Sequence, residues 1–421
     1  MTPLQVAGVG TGSDGVGPAA PVDAAIAELF APTAGYRDAV SATTEAWADI
    51  AEEWESRRRL PSELFVDLGR AGLFRRRWEP GEGPGLPYAL VLVEELSRLS
   101  GGAALAVMTH LEVFLGALTR LARTPGHLAL IDQALAGTAV GCFALTEREG
   151  GSDITALSTT AEPVAGGWHL TGTKRFVSNA STSTHALVVA RLHDRLPEHG
   201  LSLFLVPIGS GVRIVSVHDK VGVRACDMTD LALDVTVDGD ALLGAPGAAM
   251  LYVNRLLELE RLSIAWQLLV SCRWAMGLAA AFARHRPIGV DRLIDKQAVR
   301  HRLAEAQISL WTVEAMFVNV ATAVARGGTA RRHTAGLKLA TTQVASRILD
   351  DCLQLLGGRG CLTSFPVEGW WRDARVARLG GGTDDVMREI VGTTFARPHP
   401  GFDGWLERLE AGPDESAEAA H

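Results

Sequence analysis

The spacing of apolar residues changes twice along the chain. From about residue 40 to residue 137, apolar positions recur every three to four residues, as in Trp47, Ile50, Ala51 and Trp54, which predicts helices. Between about 138 and 245 the period falls to two, in short runs such as LSLFLVPI and DLALDVTV. Many short strands without helices between them indicate an antiparallel barrel or sandwich.

Helical periodicity returns after about residue 246. The predicted long helices cover 249–284, 293–326, 331–357 and 384–396. Gly357 and Gly358 are expected to end the third of these helices. The resulting division is a flexible tail (1–37) with one short helix, a helical domain (38–137), a strand domain (138–245), a second helical domain (246–397) and a disordered acidic tail (398–421).

Composition narrows the class of protein. The chain has 421 residues and a net charge of −8, which argues against a dedicated nucleic-acid-binding protein. No run of about 18 uninterrupted apolar residues predicts a membrane span, and no secretory signal is visible, so a cytoplasmic protein is expected. The five cysteines lack C-x-x-C spacing and are expected to be reduced thiols. No ligand cluster predicts a metal site.

Three motifs carry the candidate chemistry. A strand runs into the Gly-Ser turn of CFALTEREGGSD (142–153), a second strand ends in GTKRFVSN (172–179), and a helix ends in LQLLGGRG (353–360). A glycine-rich turn leaves backbone N–H groups free to face a ligand.

In this order, and over about residues 40–397, the motifs resemble those of the acyl-CoA dehydrogenase family of flavoproteins. The resemblance implies an α+β fold with an N-terminal helical domain, a central antiparallel β-barrel and a C-terminal four-helix bundle. It also implies an FAD whose ring lies between barrel and bundle, in a homotetramer or homodimer.

The family reaction is α,β-dehydrogenation of an acyl thioester. A carboxylate removes the α-proton while the β-hydride passes to the flavin N5 atom. A carboxylate desolvated in an apolar pocket has a raised pKa and is a stronger base.

The expected position of the base is altered in this chain. The family usually has a Glu in an E-G-T motif, whereas the matching segment here is LGGGT (379–383), with Gly381 in place of the Glu. One branch of the family carries its base in a segment similar to Leu257–Leu262, LELERL, which predicts Glu260 as the base. Glu258 cannot share its helix face with Glu260.

Two further interpretations of Gly381 stay open. The same fold hosts flavin-dependent monooxygenases that lack this Glu and take reduced flavin from a partner reductase. Altered base placement could instead redirect the carbanion in a specialised acyl-carrier enzyme. A non-catalytic flavoprotein that binds DNA is disfavoured by the acidic charge balance.

The resemblance also implies cofactor and substrate contacts. Ser152, Arg261 and Gly381 are expected beside the substrate, and a second subunit is expected to contribute FAD diphosphate and adenine contacts from an R-K-x-F-G-like segment and the Q-x-x-G-G helix end. The implied FAD-binding residues are Thr146, Ser152, Phe176, Ser178, Arg286, Gln297, Gln354, Gly357, Gly358, Thr383 and Asp385.

The partners implied by the resemblance are an acyl-CoA or acyl-carrier-protein substrate and an electron-transferring flavoprotein as electron acceptor. The rewritten Gly triplet and the lost Phe-Gly pair in Arg286–Val290 suggest a role in specialised biosynthesis rather than in bulk fatty-acid oxidation.

Overall fold

A computed structural model describes residues 21–192 and 200–410. The first domain is helical, and a π-helical turn at Thr109–Phe114 joins its seventh and eighth helices. The helices are α1 (Pro21–Phe30), α2 (Tyr36–Glu45), α3 (Ala51–Arg57), α4 (Ser62–Arg70), α5 (Leu73–Trp78), α6 (Leu86–Leu99), α7 (Gly101–Met108), α8 (Leu115–Leu121) and α9 (Pro125–Leu135).

Part of the predicted flexible tail is ordered helix. In α1, Ile26 and Leu29 are buried, and the helix packs against α6 and against a helix of the C-terminal domain. Phe30 adds a ring contact with Trp266, with centroids 4.8 Å apart. The short helix expected within the tail is thus present as α1, and its buried face packs on the core; residues 1–20 lie outside the described part.

The central domain is one open sheet and not a closed barrel, which corrects that part of the fold prediction. Its strands are β1 (Gly141–Ala144), β2 (Thr160–Val164), β3 (Gly167–Ser178), β4 (His185–Leu192), β5 (Leu201–Pro207), β6 (Val212–Val217), β7 (Met228–Asp238) and β8 (Leu242–Leu243). The sheet has the order β6-β7-β3-β2-β4-β5-β8, with β1 beside β4, and β4 runs parallel to both β1 and β2.

A bulge interrupts β3 near the end of the strand. The pairing of β3 with β7 shifts register between Lys174 and Val177. Phe176 lies in the bulge with φ of 58°, a conformation that costs a bulky residue energy, and its ring is 49% exposed. The strand thus turns an aromatic side chain outward where regular pleating would bury or pair it.

The C-terminal domain is helical, as the periodicity predicted. Its elements are α10 (Ala249–His285), a short β9–β10 hairpin (Pro287–Ile288 and Asp291–Arg292), α11 (Gln297–Ala325), α12 (Arg331–Leu356), α13 (Pro366–Ala377), α14 (Asp384–Gly392) and α15 (Pro400–Glu410). Helix α12 packs against α10, α11, α13 and α14. It ends at Leu356, and Gly357 follows with φ of 58°.

Two features of this domain differ from the sequence prediction. Helix α13 was not predicted, and it buries Val367 and Ala374 against the other helices, so the domain holds more than a simple four-helix bundle. Residues 400–410, assigned to the disordered tail, form the exposed helix α15. The rest of that tail, 411–421, lies outside the described residues.

Three helical segments are long and apolar enough to cross a membrane by length and composition alone. Their apolar windows are buried inside the fold to 94% for Gly101–Leu121, 67% for Ala249–His285 and 39% for Gln297–Ala325. The apolar character of the first two is accounted for largely by the protein core.

Candidate active site

Glu260 lies on α10 as a partly buried carboxylate. None of the described residues gives it a hydrogen bond or an ion pair, although the charges of Arg261 and Lys338 act on it from a longer distance. Burial raises the pKa of Glu260, and the two cations only partly oppose that effect. The result is a carboxylate with enhanced basicity and a free oxygen pair, as a general base requires.

Glu258 has a different environment, as the spacing of two residues on a helix predicts. Its side chain is buried, accepts a hydrogen bond from Arg255 at 2.7 Å and accepts another from the backbone N–H of Ala330. Glu258 therefore fixes the start of α12 to α10, with both of its carboxylate oxygens engaged.

The glycine turn before α14 is held by two cations. The Nε atom of Arg261 donates to the carbonyl of Gly381 at 2.8 Å, and Nζ of Lys338 donates to the carbonyl of Gly382 at 2.8 Å. Both glycines have positive φ, 63° and 99°. A Cβ on Gly381 would lie 3.1 Å from Ile264 Cδ1, so the turn presents backbone rather than a side chain.

Lys338 is a functional candidate that sequence reasoning missed. Its side chain is fully buried, and Nζ lies 3.9 Å from Asp384 Oδ1. Burial lowers the pKa of Lys338 to about 8, against the raising effect of Asp384. The sequence did contain one sign of this role: the chain has only four lysines, and this one lies in an apolar stretch of α12.

Thr383 and Asp385, both predicted at the adenosine side of FAD, behave differently. Thr383 is the N-cap of α14, and its hydroxyl accepts from the Val386 N–H at 3.3 Å, which leaves the hydroxyl proton available to a ligand. Asp385 is exposed and pairs with Arg388 at 2.6 Å. The neighbouring Asp384 is the buried acid of this turn.

A buried ion pair supports the Gly-Ser turn of the sheet domain. Glu147 and Lys174 are paired at 2.6 Å with almost no exposure, and Glu147 also accepts from the N–H groups of Ser158 and Thr159. Burial alone would raise the pKa of Glu147, but Lys174 and these hydrogen bonds hold it at about 2. The pair anchors the turn that carries Thr146 and Ser152.

The predicted ring contacts of the sheet domain lie around the last residues of β3 and the turn that carries Thr146 and Ser152. The Arg175 N–H donates to the Thr146 carbonyl at 2.7 Å, and Arg175 directly precedes the exposed Phe176. The hydroxyls of Thr146 and Ser152 make no hydrogen bond to any described residue, and Ser178 lies beside the buried thiol of Cys226. The exposed ring of Phe176, with the Arg175 guanidinium 4.7 Å from its centroid, and these free hydroxyls are groups that fit a flat, polar, aromatic cofactor such as FAD.

The remaining predicted contacts lie on a different surface, at the far end of the helical domain. Two contacts tie that end together: Arg302 pairs with Asp351 at 3.3 Å, and Arg359 lies 5.5 Å from the ring of Phe282. The predicted residues there, all exposed, are Arg286, Gln297, Gln354, Gly357 and Gly358.

These five residues cannot reach Glu260 within one chain. Helix α10 runs from Glu260 to its C-terminal end over roughly 38 Å at the standard rise per residue. One cofactor can touch both regions only if a second copy of the chain supplies the distant surface, as the resemblance implies.

Each of the three domains matches a model of a known protein family. Models of the acyl-CoA dehydrogenase N-terminal, middle and C-terminal domains match residues 35–124, 142–236 and 250–395. These spans overlap the predicted domains, whose exact boundaries stay predictions.

Two curated relatives and one solved structure illustrate the likeness. Acyl-[acyl-carrier-protein] dehydrogenase MbtN of Mycobacterium sp. (strain MCS) is 33% identical over 371 residues, 87% of this chain and 93% of the relative. The mitochondrial short-chain specific acyl-CoA dehydrogenase of Bos taurus is 29% identical over 347 residues, 81% of this chain and 84% of the relative. Butyryl-CoA dehydrogenase from Megasphaera elsdenii superposes with a TM-score of 0.81 at 22% identity, covering 87% and 98% of the two chains. The chain belongs to the acyl-CoA dehydrogenase family.

Proposed function

We propose that this protein catalyses the FAD-dependent α,β-dehydrogenation of an acyl thioester, with Glu260 as the base that removes the α-proton. The observation that carries the proposal is the Glu260 carboxylate, whose pKa is raised by burial and which has no partner among the described residues. A monooxygenase of the same fold needs no such base, so the free carboxylate favours dehydrogenation.

Bound FAD supplies the acceptor for the β-hydride. On one copy of the chain, the exposed ring of Phe176 is available to the flavin. The exposed carboxylate of Asp385 lies at the edge of this surface. The hydroxyls available to FAD are those of Thr146, Ser152, Ser178 and Thr383. A homodimer or homotetramer would bring the second surface of a neighbouring copy to the distal half of FAD. Its residues are Arg286, Gln297, Gln354, Gly357 and Gly358.

The protein residues around Glu260 serve proton removal. Gly381 adds no side chain to the space beside Glu260, and its turn is kept in place by Arg261 and Lys338. The Nη1 atom of Arg261 is buried and has no partner among the described residues. That N–H is available to an acceptor on the incoming substrate, where it would stabilise negative charge.

The proposed substrate is an acyl group carried on an acyl carrier protein, in specialised biosynthesis. Support comes from the relative MbtN, whose name specifies an acyl-[acyl-carrier-protein], and from the departure of Gly381 from the usual motif. Acyl-CoA is the second candidate. A cytoplasmic location and an electron-transferring flavoprotein as the electron acceptor complete the proposal.

The test is an anaerobic titration of the flavin-loaded protein with acyl-carrier and acyl-CoA thioesters of short, medium and long chains. We expect the flavin absorbance of the wild type to bleach, and Glu260→Gln to bind flavin without bleaching. Glu305→Gln, an exposed glutamate on α11, is the matched control and is expected to bleach like the wild type. Bleaching that persists undiminished in Glu260→Gln would remove Glu260 from the mechanism. Oxygen consumption with externally reduced flavin, and no bleaching by any thioester, would replace dehydrogenation by monooxygenation.

A further inference from the structure

We propose that a basic surface beside Glu260 docks an acidic carrier protein, so that the enzyme recognises the protein as well as its thioester arm. We call this surface the mouth patch and define it as Arg331, Arg332 and Arg397. The inference rests on the proposed function and specifies the partner of the same site.

The start of α12, which carries Arg331 and Arg332, is joined to α10 close in sequence to Glu260. Helix α12 begins at Arg331, and the N–H of the preceding Ala330 donates to Glu258, two residues from Glu260 on α10. The positive charge of Arg331 also reaches Arg261, whose pKa is lowered by burial first and by Arg331 in addition. Arg331 therefore lies close to the residues that surround the base.

The Arg332 side chain and the Arg397 backbone both contact Thr394. Arg332 Nη1 donates to the Thr394 hydroxyl at 3.1 Å, and the Arg397 N–H donates to the Thr394 carbonyl at 3.4 Å. Phe395, which lies between Thr394 and Arg397 in the sequence, is 86% exposed. A positive surface with an exposed aromatic ring at its edge suits contact with a protein better than contact with a small ion.

None of the ion pairs among the described residues involves an arginine of the mouth patch. Glu258 is engaged by Arg255, Asp384 by Arg378 and Asp385 by Arg388. Across residues 21–192 and 200–410, the side chains of Arg331 and Arg397 form no ion pair, and both residues are exposed. The whole chain carries a net charge of −8, so this patch is a local reversal of sign that would attract an acidic partner.

A second observation points inward from the patch. Arg261 is 3% exposed, and no described residue is a partner for its Nη1 atom, although a buried guanidinium N–H normally has one. A phosphopantetheine arm presents a phosphodiester near the carrier surface and amide and thioester carbonyls further along. Such an arm would leave its phosphate near the mouth patch, pass Arg261 and bring the thioester to Glu260.

The test compares three forms of one acyl group: the carrier-protein thioester, the CoA thioester and the free pantetheine thioester. The variant Arg331→Glu/Arg397→Glu reverses two charges of the patch. Arg347→Glu is the matched control, since Arg347 is exposed on the same helix, about 24 Å from Arg331 along its axis. Binding of the holo carrier protein to immobilised enzyme gives a readout that does not depend on turnover.

We expect kcat/KM for the carrier thioester to fall at least roughly tenfold in the double variant and to lose most of its salt dependence. Carrier binding should weaken in parallel, while kcat/KM for the pantetheine thioester stays unchanged. Equal losses with the carrier and CoA thioesters would mean that the patch recognises only a phosphate, and they would overturn carrier docking. Unchanged carrier binding in the double variant would overturn it too. Failure of the wild type to act on the pantetheine thioester, despite charge-dependent carrier binding, would count against the proposed function and not against the docking surface.

Discussion

Replacing Lys338 by Met separates the electrostatic role of this lysine from its role in stability. Lysine and methionine fill similar volumes, so the change removes the charge and the 2.8 Å hydrogen bond to the Gly382 carbonyl while leaving the core packed. The same change removes a buried cation that acts on the Glu260 carboxylate.

Two opposing terms set the effect of this substitution on folding. The pKa of Lys338 falls from 10.5 to about 8, chiefly because of burial, which corresponds to about 3 kcal/mol of destabilisation below pH 8. This cost disappears as the pH rises from 8 to above 10.5, since the lysine is then neutral in both states. A hydrogen bond from a charged donor contributes about 1.5–3 kcal/mol. The two terms largely offset each other, so the free energy of unfolding of Lys338→Met should lie within about 2 kcal/mol of the wild type at neutral pH.

The effect on catalysis should be larger than the effect on stability. Lys338 lowers the pKa of Glu260, so its removal raises that pKa and moves the acidic limb of the pH profile of kcat/KM to higher pH. The rate on the plateau should also fall, because the Gly382 carbonyl loses its donor and the turn loosens.

The assay is the pH dependence of kcat/KM together with urea unfolding. Lys296→Met is the control because Lys296 is part-exposed and pairs with the exposed Asp291. An acidic limb that stays in place in Lys338→Met, or moves to lower pH, would refute the electrostatic coupling to Glu260. A loss of several kcal/mol of stability would refute the cancellation.

Two other substitutions test the turns on either side of the site. Gly381→Glu in the Glu260→Gln background should not restore flavin bleaching and should lower the melting temperature, because φ of 63° and the Ile264 contact at 3.1 Å oppose a side chain; full restoration would show that the turn can hold the base. Glu147→Gln should leave buried Lys174 unpaired, cost about 3–5 kcal/mol in urea unfolding and weaken flavin binding. Because the pKa of Glu147 is lowered to about 2, the wild type should lose the stability that this ion pair contributes as the pH falls from about 4.5 towards 2. Glu147→Gln should not lose stability in that range; equal acid sensitivity of the two proteins would contradict the assignment.

The order of the domains and most helix bounds could be predicted because periodicity is a local property. Helix α10 was predicted at 249–284 and ends at His285, and the Gly357 stop was placed correctly because a residue of positive φ is needed there. Closure of the sheet was not a local property. Whether β6 and β8 meet depends on twist and register summed over the whole sheet, and here they remain at opposite edges.

The site shows the same division between local and nonlocal information. Motif likeness singled out Thr146, Phe176 and Glu260 as candidates, because each lies next to a recognisable sequence signal. Lys338 carries no such signal, and it becomes a candidate only because α12 packs against α10 and against the turn before α14. Which of Asp384 and Asp385 is buried depends likewise on which side of α14 faces the protein core.

Placing the base on α10 changes what the glycine turn has to do. A turn that carried the base would need a side chain at position 381 and would have to balance its charge. Here the turn offers only carbonyl oxygens, and these accept from Arg261 and Lys338 at the same distance of 2.8 Å. The two cations are thereby fixed around Glu260 without forming an ion pair with it. A direct ion pair would lower the basicity of Glu260 much more than these more distant charges do. The loss of a glutamate at 381 and the presence of one at 260 are therefore parts of a single arrangement, in which the turn positions the cations and the helix supplies the base.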